Sequence, residues 1–357
     1  GDTFTGALGR ESGQDVNTYA IGQNTLAIDD GNDGNNYDLT FEDGAFDITQ
    51  RAITLTANNR TKTYGQSLTL GDKAFSLTGT MAFSETIESA TLSSANNGAT
   101  DISANADTYT GNITVADVVG SGGFKTSNYA ITYEAGDLTI DPLAITITAD
   151  NLTKVYGNTD PDLTYSSDIS LVTGDTFAGA LGRQSGQDVN TYAIGQNTLA
   201  IDDGNDGKNY DLTFVEGQLE ITQRAITLTA DNRTRTYGDS LTLGSEAFTL
   251  SAGTYATGEG VGSVTLSSVD GVATDISANA DTYTDNITIT DAVGSGGFKT
   301  SNYAITYEAG DLTVDPLAIT ITADNLTKVY GNADPSLTYS ADVSLVTGDT
   351  FTGALGR

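Results

Sequence analysis

The chain has 357 residues and is strongly acidic, with 47 Asp and Glu against 15 Lys and Arg and a formal net charge of −32 at pH 7. This charge argues against binding of nucleic acid or anionic membrane surfaces, because both are bound through faces rich in Lys and Arg. Cys and His are absent, which excludes disulfides, thiolate or imidazole metal sites, and Ser-His-Asp or Cys-His catalysis. No apolar run approaches the roughly 20 residues of a membrane-spanning helix, so we expect no membrane insertion.

The sequence repeats itself with a long period. The decapeptide GDTFTGALGR begins at Gly1 and Gly348, and a copy with one change begins at Gly174. Each period holds two kinds of unit, and both open with an AIT[LI]TA strand and close with NYxxT[FY]. Because the decapeptide lies inside a unit, we expect the sequence to be part of a longer array. The predicted segments are a partial short repeat (1–50), a long repeat (51–142), a short repeat (143–223), a long repeat (224–316) and a partial short repeat (317–357).

The first predicted feature in chain order is a tyrosine corner. DVNTY occupies 15–19 and returns at 188–192, and ADTYT occupies 106–110 and 280–284. A Tyr just after an Asp-containing turn, at the start of a strand, anchors immunoglobulin-like sandwiches through a bond from its hydroxyl to the backbone. The alternative is a half-buried strand Tyr without this bond.

The second feature is a candidate calcium site in the loop IDDGNDGNNYD (28–38) and its copy IDDGNDGKNYD (201–211). Three carboxylates and an amide fall between glycines that let the chain curl, and Ca²⁺ accepts such oxygen ligands. The spacing is not that of an EF-hand, and Lys208 brings a positive charge into the second copy, so a polar loop rich in Asx turns is the alternative. The predicted ligands are Asp29, Asp30, Asn32, Asp33, Asp202, Asp203, Asn205 and Asp206.

The remaining elements are predicted strands. AITLTA and AITITA alternate apolar residues with Thr, which favours half-buried strands. The closing stretch at 129–140 has two such runs around the turn residues 134–137, and it predicts a hairpin. We therefore predict an all-β tandem array of small sandwich-like, immunoglobulin-like domains. Mixed-sheet domains of β-grasp type are the alternative, although no segment makes a convincing grasp helix.

Two tyrosines recur in the repeats, one before Gly and one after Asn. Their recurrence in both repeat types predicts packing in the core or at junctions. The linkers are very short, and Pro142 stiffens one of them, so we expect an extended rod of touching repeats. The Tyr-Gly positions are Tyr64, Tyr156, Tyr237 and Tyr330, and the Asn-Tyr positions are Tyr37, Tyr129, Tyr210 and Tyr303.

The short unit, from AITITADNLTKVYG to NYDLTF, resembles the MBG repeat of bacterial surface proteins. The long unit, which opens with RAITLTADNRT and closes with NYAITYEAGDLTV, resembles the YDG repeat that often alternates with it. The Tyr-Gly-Asp motif is intact only at Tyr237, since Gln66 interrupts the copy at Tyr64. The resemblance implies large secreted proteins of the filamentous-haemagglutinin or adhesin type at the bacterial surface, and it carries no catalytic residues.

These observations favour a structural function. The leading hypothesis is an extracellular fibre or adhesin stalk that spaces a cell from a surface or builds a matrix, with neighbouring repeats and other copies as its partners. The alternative is multivalent binding of surface glycans or host proteins by weak repeated sites. No enzyme is predicted, because small, nearly identical tandem domains without an evident cleft are poor candidates for catalysis.

Overall fold

The computed structural model describes residues 1–356. It is all-β, with 47% of residues in strands and 3% in helices, as the sequence predicts. The strands are β1 (Thr3–Thr5), β2 (Gly9–Arg10), β3 (Asn17–Gly22), β4 (Ala27–Asp29), β5 (Gly44–Ile48), β6 (Arg51–Ala57), β7 (Arg60–Thr63), β8 (Phe75–Thr78), β9 (Thr86–Ser94), β10 (Asp107–Ser121), β11 (Tyr129–Glu134), β12 (Gly136–Asp141), β13 (Leu143–Ala149), β14 (Leu152–Val155), β15 (Tyr165–Ser167), β16 (Thr176–Ala178), β17 (Gly182–Arg183), β18 (Asn190–Gly195), β19 (Ala200–Asp202), β20 (Tyr210–Val215), β21 (Gly217–Thr222), β22 (Arg224–Ala230), β23 (Arg233–Thr236), β24 (Phe248–Gly253), β25 (Gly260–Ser268), β26 (Thr282–Ser295), β27 (Tyr303–Glu308), β28 (Gly310–Asp315), β29 (Ile321–Ala323) and β30 (Tyr339–Ala341). Single 3₁₀ turns occupy Ala95–Asn97, Thr126–Asn128, Val269–Gly271 and Thr300–Asn302.

The chain divides into two compact units, and each contains one long repeat and part of the short repeat 143–223. The first unit comprises Gly1–Ile147, Ser167–Ala180 and Thr198–Val215, and the second comprises Thr148–Ser166, Leu181–Asn197 and Glu216–Arg357. The segment limits derived from the sequence stay predictions.

The long repeat of the first unit is a sandwich of two sheets, with strand orders β11-β6-β8 and β7-β12-β10-β9. In β6 the alternation of apolar residues with Thr places Ile53 and Leu55 on the inner face. They pack there with Ile113 of β10 and Leu138 of β12, which are fully buried. Each such side chain contributes about 1.5–3 kcal/mol by leaving water.

The closing stretch of this repeat does not form the predicted hairpin. β11 pairs with β6, whereas β12 lies between β7 and β10 in the other sheet, so the chain crosses between sheets at 134–136. The pairs β11–β6 and β12–β7 are parallel, with Tyr129 opposite Arg51 and Leu138 opposite Arg60. The closing arch therefore stacks on the opening arch β6–β7. The hairpin prediction is wrong because a turn sequence fixes where the chain bends, whereas the sandwich core decides which strand each arm joins.

Gly136 lies at this crossing, where the two arches come too close together for a side chain. A Cβ on Gly136 would lie 2.4 Å from the carbonyl oxygen of Ala57 in the arch beneath it. Gly310 has the same relation to Ala230 in the second unit, also at 2.4 Å. Only a residue without a side chain lets two arches stack this closely.

The long repeat of the second unit has the same plan. Its sheets have the orders β24-β22-β27 and β23-β28-β26-β25, with parallel pairs β22–β27 and β23–β28. The sheets mix parallel and antiparallel pairs, as the β-grasp alternative predicts. However, residues 1–356 include no α-helix that a sheet could grasp. The other sheets are β1-β4, β2-β3-β5, β16-β19, β15-β13-β20, β14-β21-β18-β17 and β29-β30.

The predicted tyrosine corners are confirmed. In each case the hydroxyl donates to the backbone carbonyl oxygen four residues earlier, which ties the start of a strand to the preceding turn. The bonds are Tyr19 to Asp15 (3.0 Å), Tyr109 to Asn105 (3.0 Å), Tyr192 to Asp188 (2.9 Å) and Tyr283 to Asn279 (2.9 Å).

Candidate functional site at the repeat joints

The two linkers that flank the short repeat 143–223 are as short as predicted. In the first unit β12 ends at Asp141 and β13 begins at Leu143, so Pro142 alone separates them. In the second unit Gln223 alone separates β21 from β22. A linker of one residue forces neighbouring repeats into contact, and polar side chains of both repeats meet at each of these joints.

A tyrosine clamp holds the joint of the first unit. The hydroxyls of Tyr64, from the long repeat, and Tyr210, from the short repeat, both donate to Oδ2 of Asp175, at 3.0 and 2.7 Å. Their rings meet edge to face with centroids 5.4 Å apart, a geometry that adds about 0.5–1.5 kcal/mol beyond burial. The backbone amide of Val172 donates to the Tyr210 hydroxyl at 2.8 Å. One carboxylate thus connects two repeats.

Asn209 completes this joint from a fully buried position. Its Oδ1 accepts from the amide of Ala106 at 2.8 Å, and its Nδ2 donates to Oδ1 of Asn105 at 3.1 Å. Its carbonyl oxygen accepts from the amide of Leu143 at 2.9 Å. The Asn-Tyr pair therefore contributes two adjacent anchors, one to backbone and one to the clamp.

The joint of the second unit repeats the clamp with a different carboxylate. Tyr156 donates to Oε1 of Glu259 and Tyr303 donates to Oε2, both at 2.6 Å. The rings again meet edge to face, at 5.6 Å. Arg224 adds a bond from Nε to the carbonyl oxygen of Tyr156 at 2.8 Å.

The glycine after the clamp tyrosine also has a structural reason. Gly65 and Gly157 have φ values of +83° and +78°, which favour glycine. A Cβ on Gly65 would lie 2.7 Å from Cγ2 of Val172, and one on Gly157 would lie 2.7 Å from Cβ of Ala256. Tyr-Gly is therefore a joint motif, in which the tyrosine anchors and the glycine permits close approach.

The clamps keep their tyrosines neutral. Burial, followed by the hydrogen bond to Asp175, raises the pKa of Tyr64 to about 12. Burial and the bond to Glu259 raise the pKa of Tyr303 to about 12, and burial also raises the pKa of Tyr210 and Tyr156. Neutral hydroxyls that donate to a shared carboxylate hold the two repeats together at each joint.

A charged tether accompanies the clamp in the second unit. Asp188 accepts from Lys299 at 2.7 Å and from Nδ2 of Asn302 at 2.8 Å, and these bonds, that from Lys299 first, lower the pKa of Asp188. The Asn302 Oδ1 accepts from the amide of Val189 at 2.9 Å. The ion pair is about half exposed, so its contribution is small, and the buried amide is the firmer anchor.

The clamp acceptors Asp175 and Glu259 were not among the residues that the sequence identifies as sites. The signal for Asp175 was present, because the decapeptide GDTF-GALGR places an Asp at the same position in each short segment. The sequence alone does not show that this Asp faces two tyrosines that lie 111 and 35 residues away.

Of the predicted calcium ligands, Asp203 and Asp30 organise their own loops. Oδ1 of Asp203 accepts from the amides of Asn205 and Gly207, each at 2.8 Å, and Oδ2 accepts from the amide of Asn209 at 2.9 Å. Burial acts to raise the pKa of Asp203, but these three bonds outweigh it and lower the pKa. Asp30 repeats the arrangement in 28–38.

The other predicted ligands lie apart from this hub. Asp202 pairs with Thr176 at the edge of β19, and Asp206 is exposed with Lys208 Nζ 3.9 Å from its carboxylate. Within residues 1–356, no three acidic side chains gather as a metal-holding group. Asn205 Nδ2 donates to Asn209 Oδ1 at 2.9 Å, so the loop supports the joint, and calcium binding stays a prediction. The first-copy residues Asp29, Asp30, Asn32 and Asp33 occupy the equivalent loop.

A buried cationic side chain lies in the second strand of the opening arch in three of the repeats. Lys62, Lys154 and Arg235 are each less than a tenth exposed. They donate to backbone carbonyl oxygens of nearby loops, which offsets the cost of burying their charge. The bonds include Lys62 to Asp101, Lys154 to Asn158 at 3.1 Å, and Arg235 to Val272 at 2.9 Å.

Comparison with known families identifies two segments of the chain. The family model described as MBG domain (YGX type) matches residues 145–220 and 319–357, and both ranges include a Tyr-Gly pair of the joint motif. A comparison with curated proteins gives no match. None of the helices in residues 1–356 has the length and apolarity needed to cross a membrane. These two segments are therefore similar to MBG repeats, a structural and non-enzymatic kind of domain that suggests a repeat region of a surface protein.

Proposed function

We propose that the chain is a structural repeat region of a secreted bacterial surface protein and that its repeats form a stiff extracellular fibre or adhesin stalk. The MBG-type match supports a surface protein. The YDG character of the long repeats and a parent protein of filamentous-haemagglutinin or adhesin type are parts of the same proposal. Neighbouring repeats and other copies in the fibre are its partners. Binding of surface glycans or host proteins stays the alternative prediction.

The recurrence of the joint carries this proposal. Each unit contains a tyrosine clamp beside a linker of one residue. A hydrogen bond to a charged group contributes about 1.5–3 kcal/mol, and each clamp has two. Bending that separates the two tyrosines stretches a hydroxyl–carboxylate bond or opens the edge-to-face ring contact, so the clamp opposes such bending.

The net charge supports the same function. At −32 for 357 residues, rods of this composition repel each other and stay dispersed in water. Stiffness then comes from the joints within one chain, and spacing between chains comes from charge.

Distance measurements across one joint test the mechanical part of the proposal. The chain has no Cys, so Thr91→Cys and Asp211→Cys place two spin labels at exposed positions on either side of the first unit's joint. A stiff joint should give one narrow distance distribution by pulsed electron paramagnetic resonance. Asp175→Ala removes the clamp acceptor and should broaden the distribution, whereas Glu88→Ala, an exposed carboxylate outside the joint, should leave it narrow.

A distribution that is equally broad with and without Asp175 would contradict the stiff joint. The surface location has its own test, since antibodies raised against the chain should label intact source bacteria. Labelling that requires permeabilised cells would contradict an extracellular role and leave the mechanical result standing.

A further inference from the structure

An asparagine side chain anchors three joints between successive repeats to the corner of the preceding repeat. It is the asparagine of the Asn-Tyr pair, and its Oδ1 accepts a backbone amide from the corner. Because this bond is the same at each joint, it strengthens the joint without distinguishing one kind of neighbour from another. The bonds are Val16 to Asn128 at 2.9 Å, Ala106 to Asn209 at 2.8 Å and Val189 to Asn302 at 2.9 Å.

The corner itself differs between the two repeat types. We call the residue four positions before the corner tyrosine the corner residue, and its Oδ1 accepts from Nδ2 of the anchoring asparagine. It is an aspartate in the short repeats and an asparagine in the long ones, so a short repeat offers the next repeat a charged corner and a long repeat offers a neutral one. The bonds are Asn128 to Asp15 at 2.9 Å, Asn302 to Asp188 at 2.8 Å and Asn209 to Asn105 at 3.1 Å.

The long repeats supply a cation to the charged corner. Lys125 and Lys299 lie three residues before their anchoring asparagines. Each donates to Oδ2 of a corner aspartate at 2.7 Å, Lys125 to Asp15 and Lys299 to Asp188. Both ion pairs are about half exposed, so they add little stability. Exposed charges of this kind affect the choice of partner more than the strength of binding.

The linker contacts the same turn of the long repeat. Nε2 of Gln50 donates to the carbonyl oxygen of Ser127, and Nε2 of Gln223 donates to that of Ser301, both at 3.1 Å. In the opposite order, from long repeat to short, the linker residue is Pro142, whose ring has no side-chain donor. The turns at 125–128 and 299–302 are therefore each contacted by two features of a short repeat, its linker glutamine and its corner aspartate.

The short repeats carry the opposite charge at the position of this lysine. Asp206 lies three residues before Asn209, and its side chain is 91% exposed. The corner that Asn209 contacts belongs to a long repeat and is the neutral Asn105. A short repeat placed on a charged corner would instead bring an acidic turn to an aspartate. Such a meeting of like charges disfavours a wrong neighbour even where the other contacts are unchanged.

We propose that the corner residue determines which kind of repeat docks after it. Asp15 and Asp188 select the lysine-bearing turn of a long repeat, whereas the neutral Asn105 accepts the acidic turn of a short repeat. The alternation of the two repeat types is thus specified by the joint surfaces, which disfavours docking of a wrong but similar neighbour while the array folds. The inference goes beyond the proposed function, since it requires neither export nor a stiff joint.

Hydrogen exchange in the full chain tests this selection. The amide of Val189 reports opening of the joint at Asn302, and the amide of Val16 reports the matching joint at Asn128 in the same molecule. Lys299→Asp gives the long repeat an acidic turn and should accelerate exchange at Val189 by about two- to fivefold, the range of an exposed charge pair. Exchange at Val16 should not change. Lys73→Asp makes the same charge change at an exposed position outside the joints and should affect neither amide.

The substitution Asp188→Asn, made with and without Lys299→Asp, separates charge selection from general weakening of the joint. In the chain that keeps Lys299, it removes an ion pair and should accelerate exchange at Val189. In the Lys299→Asp chain, it removes a repulsion and restores the neutral corner that Asn105 provides elsewhere, so it should slow exchange. A change in the same direction in both chains would overturn the proposal, and so would equal acceleration by Lys73→Asp and Lys299→Asp.

Discussion

Asp203 shows how one carboxylate orders a loop and, through it, a joint. Its two oxygens accept three backbone amides, and the last of these belongs to Asn209, whose side chain crosses to the neighbouring repeat. The lowered pKa of Asp203 means that its stabilising contribution is present above the ordinary pKa of 3.8 and is lost as pH falls through the lower folded value.

Replacing Asp203 tests this role. Asp203→Asn turns one acceptor oxygen into a donor facing an amide, which should cost about 1–3 kcal/mol locally. Hydrogen exchange at the amides of Gly207 and Asn209 should then accelerate by about tenfold or more, since 1.4 kcal/mol is a factor of ten. Asp206→Asn changes the same charge in the same loop at an exposed position and should leave exchange nearly unchanged. Equal acceleration in both variants would mean that the charge of the loop, and not the bonds from the amides to Asp203, protects these amides from exchange.

At the scale of the element, the stacked arches determine where the clamp tyrosines stand. β6–β7 and β11–β12 cross between sheets together, and Tyr64 follows directly after β7. The amide of Tyr64 donates to the carbonyl oxygen of Asp141 at 2.8 Å, next to the linker. The tyrosine is therefore fixed at the end of the sandwich where the following repeat begins.

The clamp predicts an alkaline transition. Tyr64 ionises near 10 when unfolded and near 12 when folded, so its contribution is complete below pH 10 and is lost as pH rises towards 12. Tyrosinate absorbance should show a late titration, in which a tyrosine ionises well above pH 10 and at the same pH at which the folded structure is lost. Tyr64→Phe should remove one late titration. Late titration that persists in full without Tyr64 would contradict the assignment.

At the scale of the whole molecule, the charge of −32 affects stability through repulsion between acidic side chains. Salt weakens this repulsion without any specific site. A calcium site in the loops 28–38 and 201–211 would stabilise the folded state beyond this screening. A ligand that binds only the folded state stabilises it by about 2.7 kcal/mol at a hundred times its dissociation constant.

Melting in calcium and in sodium chloride of equal ionic strength distinguishes the two effects. If the loops bind, calcium should raise the melting temperature further than sodium, and a chelator should reverse the difference. The variant Asp202→Asn with Asp206→Asn should lose the part of the calcium increment that the loop 201–211 supplies and should keep the sodium effect. Identical melts in the two salts would exclude the predicted site and leave screening as the explanation.

Much of the local structure follows from the sequence alone. The alternation in AITLTA places Ile53 and Leu55 on a buried face because successive strand residues point to opposite sides. DVNTY predicts the corner bond of Tyr192 because donor and acceptor are four residues apart. The recurrence of Tyr-Gly and Asn-Tyr indicates packing at joints. These features depend on short spacings, and short spacings are visible in a linear sequence.

Only the tertiary structure decided the rest. YAITYEAGDLTI reads as a hairpin, yet its arms join different sheets, because the gain from burying Leu138 and Ile140 in the sandwich depends on strands far away in sequence. Asp175 becomes a clamp only where Tyr64 and Tyr210 converge. The sequence determined the strands, the corners and the repeat, since neighbouring residues encode them. Strand pairing and the shared carboxylate were decided by the tertiary structure, because each depends on groups that only folding brings together.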